Sequence, residues 1–188
     1  MGDAVVRIRS AGLLARLGTA VRAIFAPASI EPDQLLPATG TPMPRRHQDA
    51  LAVLDAARGV VRRGWVQHAW YVMQAPDGRR RAWEPTSLVR LDHTRVVQAC
   101  VVGAVLHAAW QQSPRAEHAN PAIDALWRTL YDDGGEPVGP ACAPPLSTAR
   151  VRDLTTWNDQ RHRTREDVLD LLDRAAARIA DRHHDTAG

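Results

Sequence analysis

The spacing of apolar residues near the C-terminus constrains the fold of this chain most strongly. From Val168 to Ile179, apolar residues recur every three or four positions, which places them on one face of a helix. Thr164 and Asp167 match a capping box, so the helix is predicted to begin beside them. An apolar stripe of this kind must pack against other elements, and it predicts a helical core.

Four further segments are predicted to be helices. They are 46–62, Asp92 to about Gln111, Asn120 through Leu130, and a short helix capped by Ser147. Gly64 is well placed to end the first. The second is apolar almost all round, which indicates a central buried helix with Cys100 in its middle. Gly103 within it predicts the close approach of a neighbouring helix or aromatic ring.

A different pattern separates the first two helices. Residues 65–73 are rich in aromatic and β-branched side chains, and Asp77-Gly78 is a strong turn signal before a returning strand at 79–83. A lone hairpin is marginally stable in water, so it must pack against the helices. The predicted fold is therefore mainly α, a compact bundle of four to five helices with a small β-hairpin.

Composition divides the 188 residues into four parts. We expect an amphipathic, Arg-containing extension at 1–28, a Pro-rich linker at 29–45, the helical domain at 46–180 and a tail at 181–188. All 24 basic residues are Arg. Residues 1–46 hold six of them against three acids, a net of +3, whereas 47–188 hold 18 against 18, a net of zero. Nucleic-acid binders normally carry a basic stripe, so association with nucleic acid or a membrane surface is expected only through 1–28. The alternative is that 1–28 is a frayed helix or lies upstream of the true start of translation.

The sequence favours a cytoplasmic protein without a metal or cofactor. No run approaches the roughly 18 apolar residues of a membrane span, and two cysteines give no disulfide framework. His93, Cys100 and His107 are spaced seven apart. On one helix, that spacing separates them by about 10 Å, too far for shared metal ligation.

Cys100 is the one weak catalytic candidate. A nucleophilic cysteine usually lies at a helix N-terminus beside a His that lowers its pKa. In mid-helix among valines, Cys100 should instead be a small buried hydrophobe. If the helix begins near Ala99, then His68, His107 or His162 could act as its partner, and a cysteine-dependent hydrolase or transferase becomes the alternative.

Trp157-Asn158-Asp159 is the most distinctive polar cluster. Asn and Asp at a helix end commonly cap it or form a turn, which is the favoured interpretation. The functional alternative is a polar pocket shared with Trp65, Gln67 and Arg79. The candidate binding residues are Trp65, Gln67, Arg79, Trp157, Asn158 and Asp159.

Several short motifs occur in a specific order. They are Gly64-Trp65-x-Gln67, Asp77-Gly78-Arg79, Cys100-x-x-Gly103-Ala104, Trp157-Asn158-Asp159 and Thr164-x-Glu166-Asp167-Val168. Across residues 46–180 this pattern resembles an uncharacterised family of small proteins from actinobacteria and their phages. The resemblance implies no activity. It does imply that six residues share one core or site: Trp65, Cys100, Gly103, Trp157, Asn158 and Asp159.

With no complete catalytic or metal constellation, the best functional hypothesis is a non-catalytic binding or regulatory module. Its partner is an unknown protein or small ligand. The enzyme using Cys100, and surface association through 1–28, are the alternatives, and the oligomeric state is open.

Overall fold

The computed structural model describes residues 43–83, 92–113, 116–131 and 144–187. The predicted N-terminal helix at 1–28 and nearly all of the linker at 29–45 lie outside these residues. Among the described residues, no helix is both long enough and apolar enough to cross a membrane.

The described part of the chain is mainly helical, which confirms the predicted fold class. Its helices are α1 (Arg45–Arg63), α2 (Val101–Gln112), α3 (Asn120–Tyr131), α4 (Pro144–Asn158) and α5 (Arg165–Ala187), with 3-10 turns at His93–Arg95 and Ala116–Ala119. α1 packs against α2 and α5, and α3 packs against α4 and α5. The helices thus surround one apolar core, as the periodicity predicts.

Local signals define the ends of α1 and α5. Gly64 ends α1, and its N–H donates to the carbonyl of Val60 at 3.1 Å. At the start of α5, the N–H of Thr164 donates to Asp167 Oδ2 at 2.9 Å, and the N–H of Asp167 donates to Thr164 Oγ1 at 3.2 Å. This reciprocal pair is the predicted capping box. α5 continues to Ala187, so residues 181–187 extend the helix where the sequence suggested a tail.

A three-stranded antiparallel sheet contains the predicted hairpin. Its strands are β1 (Tyr71–Gln74), β2 (Arg80–Trp83) and β3 (Val96–Ala99), in the order β2-β1-β3. Gly78 has φ of +75°, the left-handed conformation that a tight turn requires of glycine. The apolar run at 65–73 begins six residues before β1. Residues 65–70 form a separate segment, which pairs with β3 through an isolated bridge from Trp65 to Ala99.

The prediction of a helix from Asp92 to Gln111 was wrong in its first half. Asp92 does cap, but it caps the short 3-10 turn, accepting from the N–H of Thr94 at 3.2 Å. The chain then forms β3, and α2 begins at Val101. β-branched Val96 and Val97 favour an extended chain, and pairing with β1 satisfies its backbone groups. That pairing is non-local, so helical spacing within the segment did not indicate it.

α2 is the central element, as predicted. Every residue from Val101 to Ala109 is buried. A Cβ on Gly103 would overlap the carbonyl oxygen of Trp70 and lie 3.1 Å from the Tyr71 ring. The predicted close approach at Gly103 is therefore confirmed, and it brings the start of β1 against the first turn of α2.

Candidate functional site

A hydrogen-bonded group forms where α4 ends, and its centre is Asn158, which is 0% exposed. Its Oδ1 accepts from Trp65 Nε1 at 2.9 Å and from the N–H of Val101 at 3.1 Å. Its Nδ2 donates to the carbonyl of Val66 at 3.2 Å and to Asp159 Oδ1 at 2.9 Å. Two acceptor and two donor positions are therefore filled, the full capacity of an amide side chain.

Gln67 completes this group from the opposite segment. Its Nε2 donates to the carbonyl of Asn158 at 2.9 Å and to the carbonyl of Gln160 at 2.8 Å. Carbonyls at the end of a helix lack intrahelical donors, and the Gln67 side-chain amide donates to these two. Trp65, Gln67, Asn158 and Asp159, which we call the Asn158 cluster, thus join residues about 90 positions apart.

His68 lies at the surface edge of the Asn158 cluster. It is the only described non-glycine residue with positive φ, 59°. Its N–H donates to Asp159 Oδ1 at 2.9 Å, and its Nδ1 lies 3.7 Å from Asp159 Oδ2. The His68 side chain is 72% exposed and the Asp159 side chain 17%, so the imidazole faces solvent while the carboxylate beside it is mostly shielded. We call His68 and Asp159 the rim.

The two remaining predicted binding residues lie apart from these hydrogen bonds. Trp157 is buried in the core, with the guanidinium of Arg163 4.5 Å above its ring. Arg79 is exposed on the hairpin, where its N–H and its Nε both face Asp77. The structure therefore brings together four of the six candidates.

Cys100 is the N-cap of α2, not a mid-helix residue. Its Sγ accepts from the N–H of Gly103 at 3.3 Å, and its own N–H donates to the carbonyl of Trp70 at 3.0 Å. The side chain is buried, as the sequence suggested, and this burial raises the pKa of the thiol to about 12. A nucleophilic cysteine requires a lowered pKa, so this geometry suits a structural cap.

The side chains of His93 and His107 are in contact, whereas a single helix through both residues would hold them far apart. Their Nδ1 atoms are 3.0 Å apart, because His93 precedes β3 and the chain runs back along α2. One Nδ1 carries a proton and donates it in a hydrogen bond, and the other Nδ1 is unprotonated and accepts that hydrogen bond. His93 also stacks on Trp110, with ring centroids 5.3 Å apart. Burial lowers the pKa of His107 to about 4, with smaller contributions from His93 and Arg63. Within the described ranges, no group of three or more His, Cys, Asp or Glu could hold a metal ion.

A buried charged group between α3 and α4 was not predicted. Asp124 pairs with both Arg128 and Arg150, and the two arginines are buried. Arg150 also lies 4.9 Å from the centroid of the Trp127 ring. Arg128 follows Asp124 by four positions, a common helix pair, but nothing local indicates that Arg150 completes the group.

The comparison with known families agrees with the expected resemblance to a family of unknown function. The model of DUF6197, a family of unknown function, matches residues 45–178. The chain belongs to DUF6197. The DUF6197 match begins at α1 and includes the sheet, α2, α3, α4 and most of α5, so it contains the Asn158 cluster and the rim. No curated protein and no solved structure matches the chain.

Proposed function

We propose that this protein is a non-catalytic binding module that recognises its partner through the rim of His68 and Asp159. The observation that carries the proposal is the positive φ of His68, 59°, at a side chain that faces solvent. Left-handed backbone at a residue other than glycine costs on the order of 1–3 kcal/mol, and it persists where surrounding contacts over-determine it.

The surrounding contacts do over-determine this turn. Asp159 accepts from the N–H of His68, and Gln67 donates to two carbonyls at the C-terminal end of α4, those of Asn158 and Gln160. Asn158 then ties Asp159 to the carbonyl of Val66. A rim fixed in this way loses little conformational entropy when it binds, which favours affinity.

The chemistry of the rim suits a polar partner. An imidazole offers one donor and one acceptor when neutral, and the carboxylate of Asp159 accepts. A protein segment or small ligand with hydroxyl, amide or amine groups would hydrogen-bond to both the imidazole and the carboxylate. Cys100 is buried as the N-cap of α2, which supports a non-catalytic module. Its free thiol is consistent with a reducing compartment, and we include a cytoplasmic location in the proposal.

Native mass spectrometry of the full chain tests this proposal. The protein would be purified gently from an actinobacterial host, since its motifs resemble actinobacterial and phage proteins. We expect an added mass on the wild type and on His162→Ala, a control at another exposed histidine. His68→Gly keeps the φ that this position needs and should lose the added mass.

Two results would contradict the proposal. An added mass retained in full by His68→Gly would place recognition elsewhere. A bare chain in every preparation, together with rapid alkylation of native Cys100 at neutral pH, would favour the cysteine-dependent enzyme instead.

A further inference from the structure

The β1–β2 hairpin projects from the helical body. Every residue from 76 to 83 is exposed, although Tyr71 and Val72 at the base of β1 are buried. β2 occupies one edge of the sheet and pairs only with β1 among the described strands. Both faces of β2 are therefore available, and we call residues 76–83 the arginine hairpin.

The arginine hairpin is basic although the domain as a whole is neutral. Arg79, Arg80 and Arg81 are consecutive, and Asp77 is the only acid in the segment, so the local charge is +3 − 1 = +2. Asp77 Oδ2 lies 4.0 Å from Arg79 Nε and 3.6 Å from Arg81 Nη2. Exposed ion pairs of this kind are weak, so they leave the guanidinium groups able to exchange Asp77 for another anion.

An exposed aromatic ring lies on the same strand. Trp83 is 44% exposed, one of two large apolar side chains that the described part of the chain leaves open to solvent. Side chains alternate along a strand, so Trp83 and Arg81 share a face and their Cα atoms are about 7 Å apart. The hairpin thus presents cations and an indole in one row.

We propose that the arginine hairpin binds single-stranded nucleic acid, with phosphates at Arg79 and Arg81 and a base stacked on Trp83. Cationic side chains that follow the backbone, together with aromatic rings on which bases stack, are the general chemistry of single-strand recognition. Arg80, on the opposite face of β2, adds to the electrostatic attraction.

An extended acidic peptide is the main rival occupant, because it too would satisfy arginines at a sheet edge. A nucleobase can stack on the exposed indole beside the cations, whereas the acidic side chains of a peptide have no ring that could stack there. The proposal goes beyond the rim at His68, since it uses a different surface. An even charge balance over residues 47–188 does not exclude a local basic patch.

Fluorescence anisotropy with a labelled oligothymidylate tests the inference on the full chain. We expect saturable binding that weakens with salt. Arg79→Gln combined with Arg81→Gln should flatten the log–log salt slope by about 1.4, or about 0.7 per lost phosphate contact. Trp83→Ala should weaken binding about tenfold and leave the slope unchanged, since stacking carries no charge.

Arg174→Gln is the matched control. Arg174 forms an exposed ion pair with Asp170 four residues earlier, the same sequence separation as Asp77 and Arg81. It should leave affinity and slope unaltered. An equal loss in this control, or no loss in the hairpin variants, would overturn the inference and assign binding to general charge or to residues 1–28. Absence of oligothymidylate binding at low salt, or tighter binding of labelled polyglutamate, would also overturn it.

Discussion

Acid should destabilise this protein through one buried histidine. His107 is 7% exposed, and its Nδ1 lies 3.0 Å from that of His93. Burial, with smaller contributions from His93 and Arg63, lowers the pKa of His107 from 6.5 to about 4 in the folded chain. In the unfolded chain the ring is solvated, and its pKa returns to about 6.5.

The size and sign of the effect follow from this difference in pKa. Between pH 6.5 and 4, the unfolded chain binds a proton on His107 that the folded chain does not. The free energy of unfolding therefore falls as the pH falls, by about 1.4 kcal/mol per pH unit, and this contribution levels off below pH 4. From pH 7 to pH 5, His107 alone should cost about 2 kcal/mol.

Urea unfolding at several pH values, for the wild type and for His107→Asn, measures this contribution. The asparagine amide occupies the region of Nδ1 and can still hydrogen-bond His93, but it does not titrate. The variant should lose about 2 kcal/mol less than the wild type between pH 7 and pH 5. Equal losses in the two proteins, or an NMR titration of His107 with a pKa near 6.5, would refute the reasoning.

Two substitutions and one reactivity measurement test the packing around the Asn158 cluster and the start of α2. Asn158→Ala removes the acceptor of two N–H groups, so it should lower the free energy of unfolding, measured with urea, by about 3 kcal/mol or more. A loss below about 1 kcal/mol would contradict the central role of this amide. Gly103→Ala should be strongly destabilising because its Cβ would overlap the carbonyl oxygen of Trp70, so a melting temperature equal to that of the wild type would be inconsistent with the fold. Native Cys100 should react with iodoacetamide far more slowly than in urea, because burial raises its pKa to about 12; similar rates in both conditions would show that the thiol is accessible.

Local patterns in the sequence were sufficient to predict most helices and the hairpin turn. Gly64 ends α1, Thr164 and Asp167 form the capping box of α5, and Asp77-Gly78 is the turn. Each of these features depends on backbone groups within a few residues, so the amino acids at those positions carry the information. The apolar spacing likewise identified α2 as central, because a helix that is apolar all round has to be buried.

The prediction for 92–100 failed because two structures compete locally. Val96 and Val97 fit either an apolar helix face or a strand, and pairing with β1 decides between them. Once β3 replaces the first turns of the helix, Cys100 becomes an N-cap. The same change brings His93 beside His107, whereas one continuous helix would hold them far apart.

For the candidate site too, the sequence identified the residues, whereas the tertiary structure determined their contacts. The sequence marked Trp65, Gln67, Asn158 and Asp159 as polar or aromatic residues of interest, and their types allow either a cap or a pocket. Only the packing of the 65–70 segment against the end of α4 directs Trp65 Nε1 and Gln67 Nε2 onto Asn158. Hydrogen bonds between residues about 90 positions apart form when the core brings their elements together, and no local periodicity encodes which partner each group will meet.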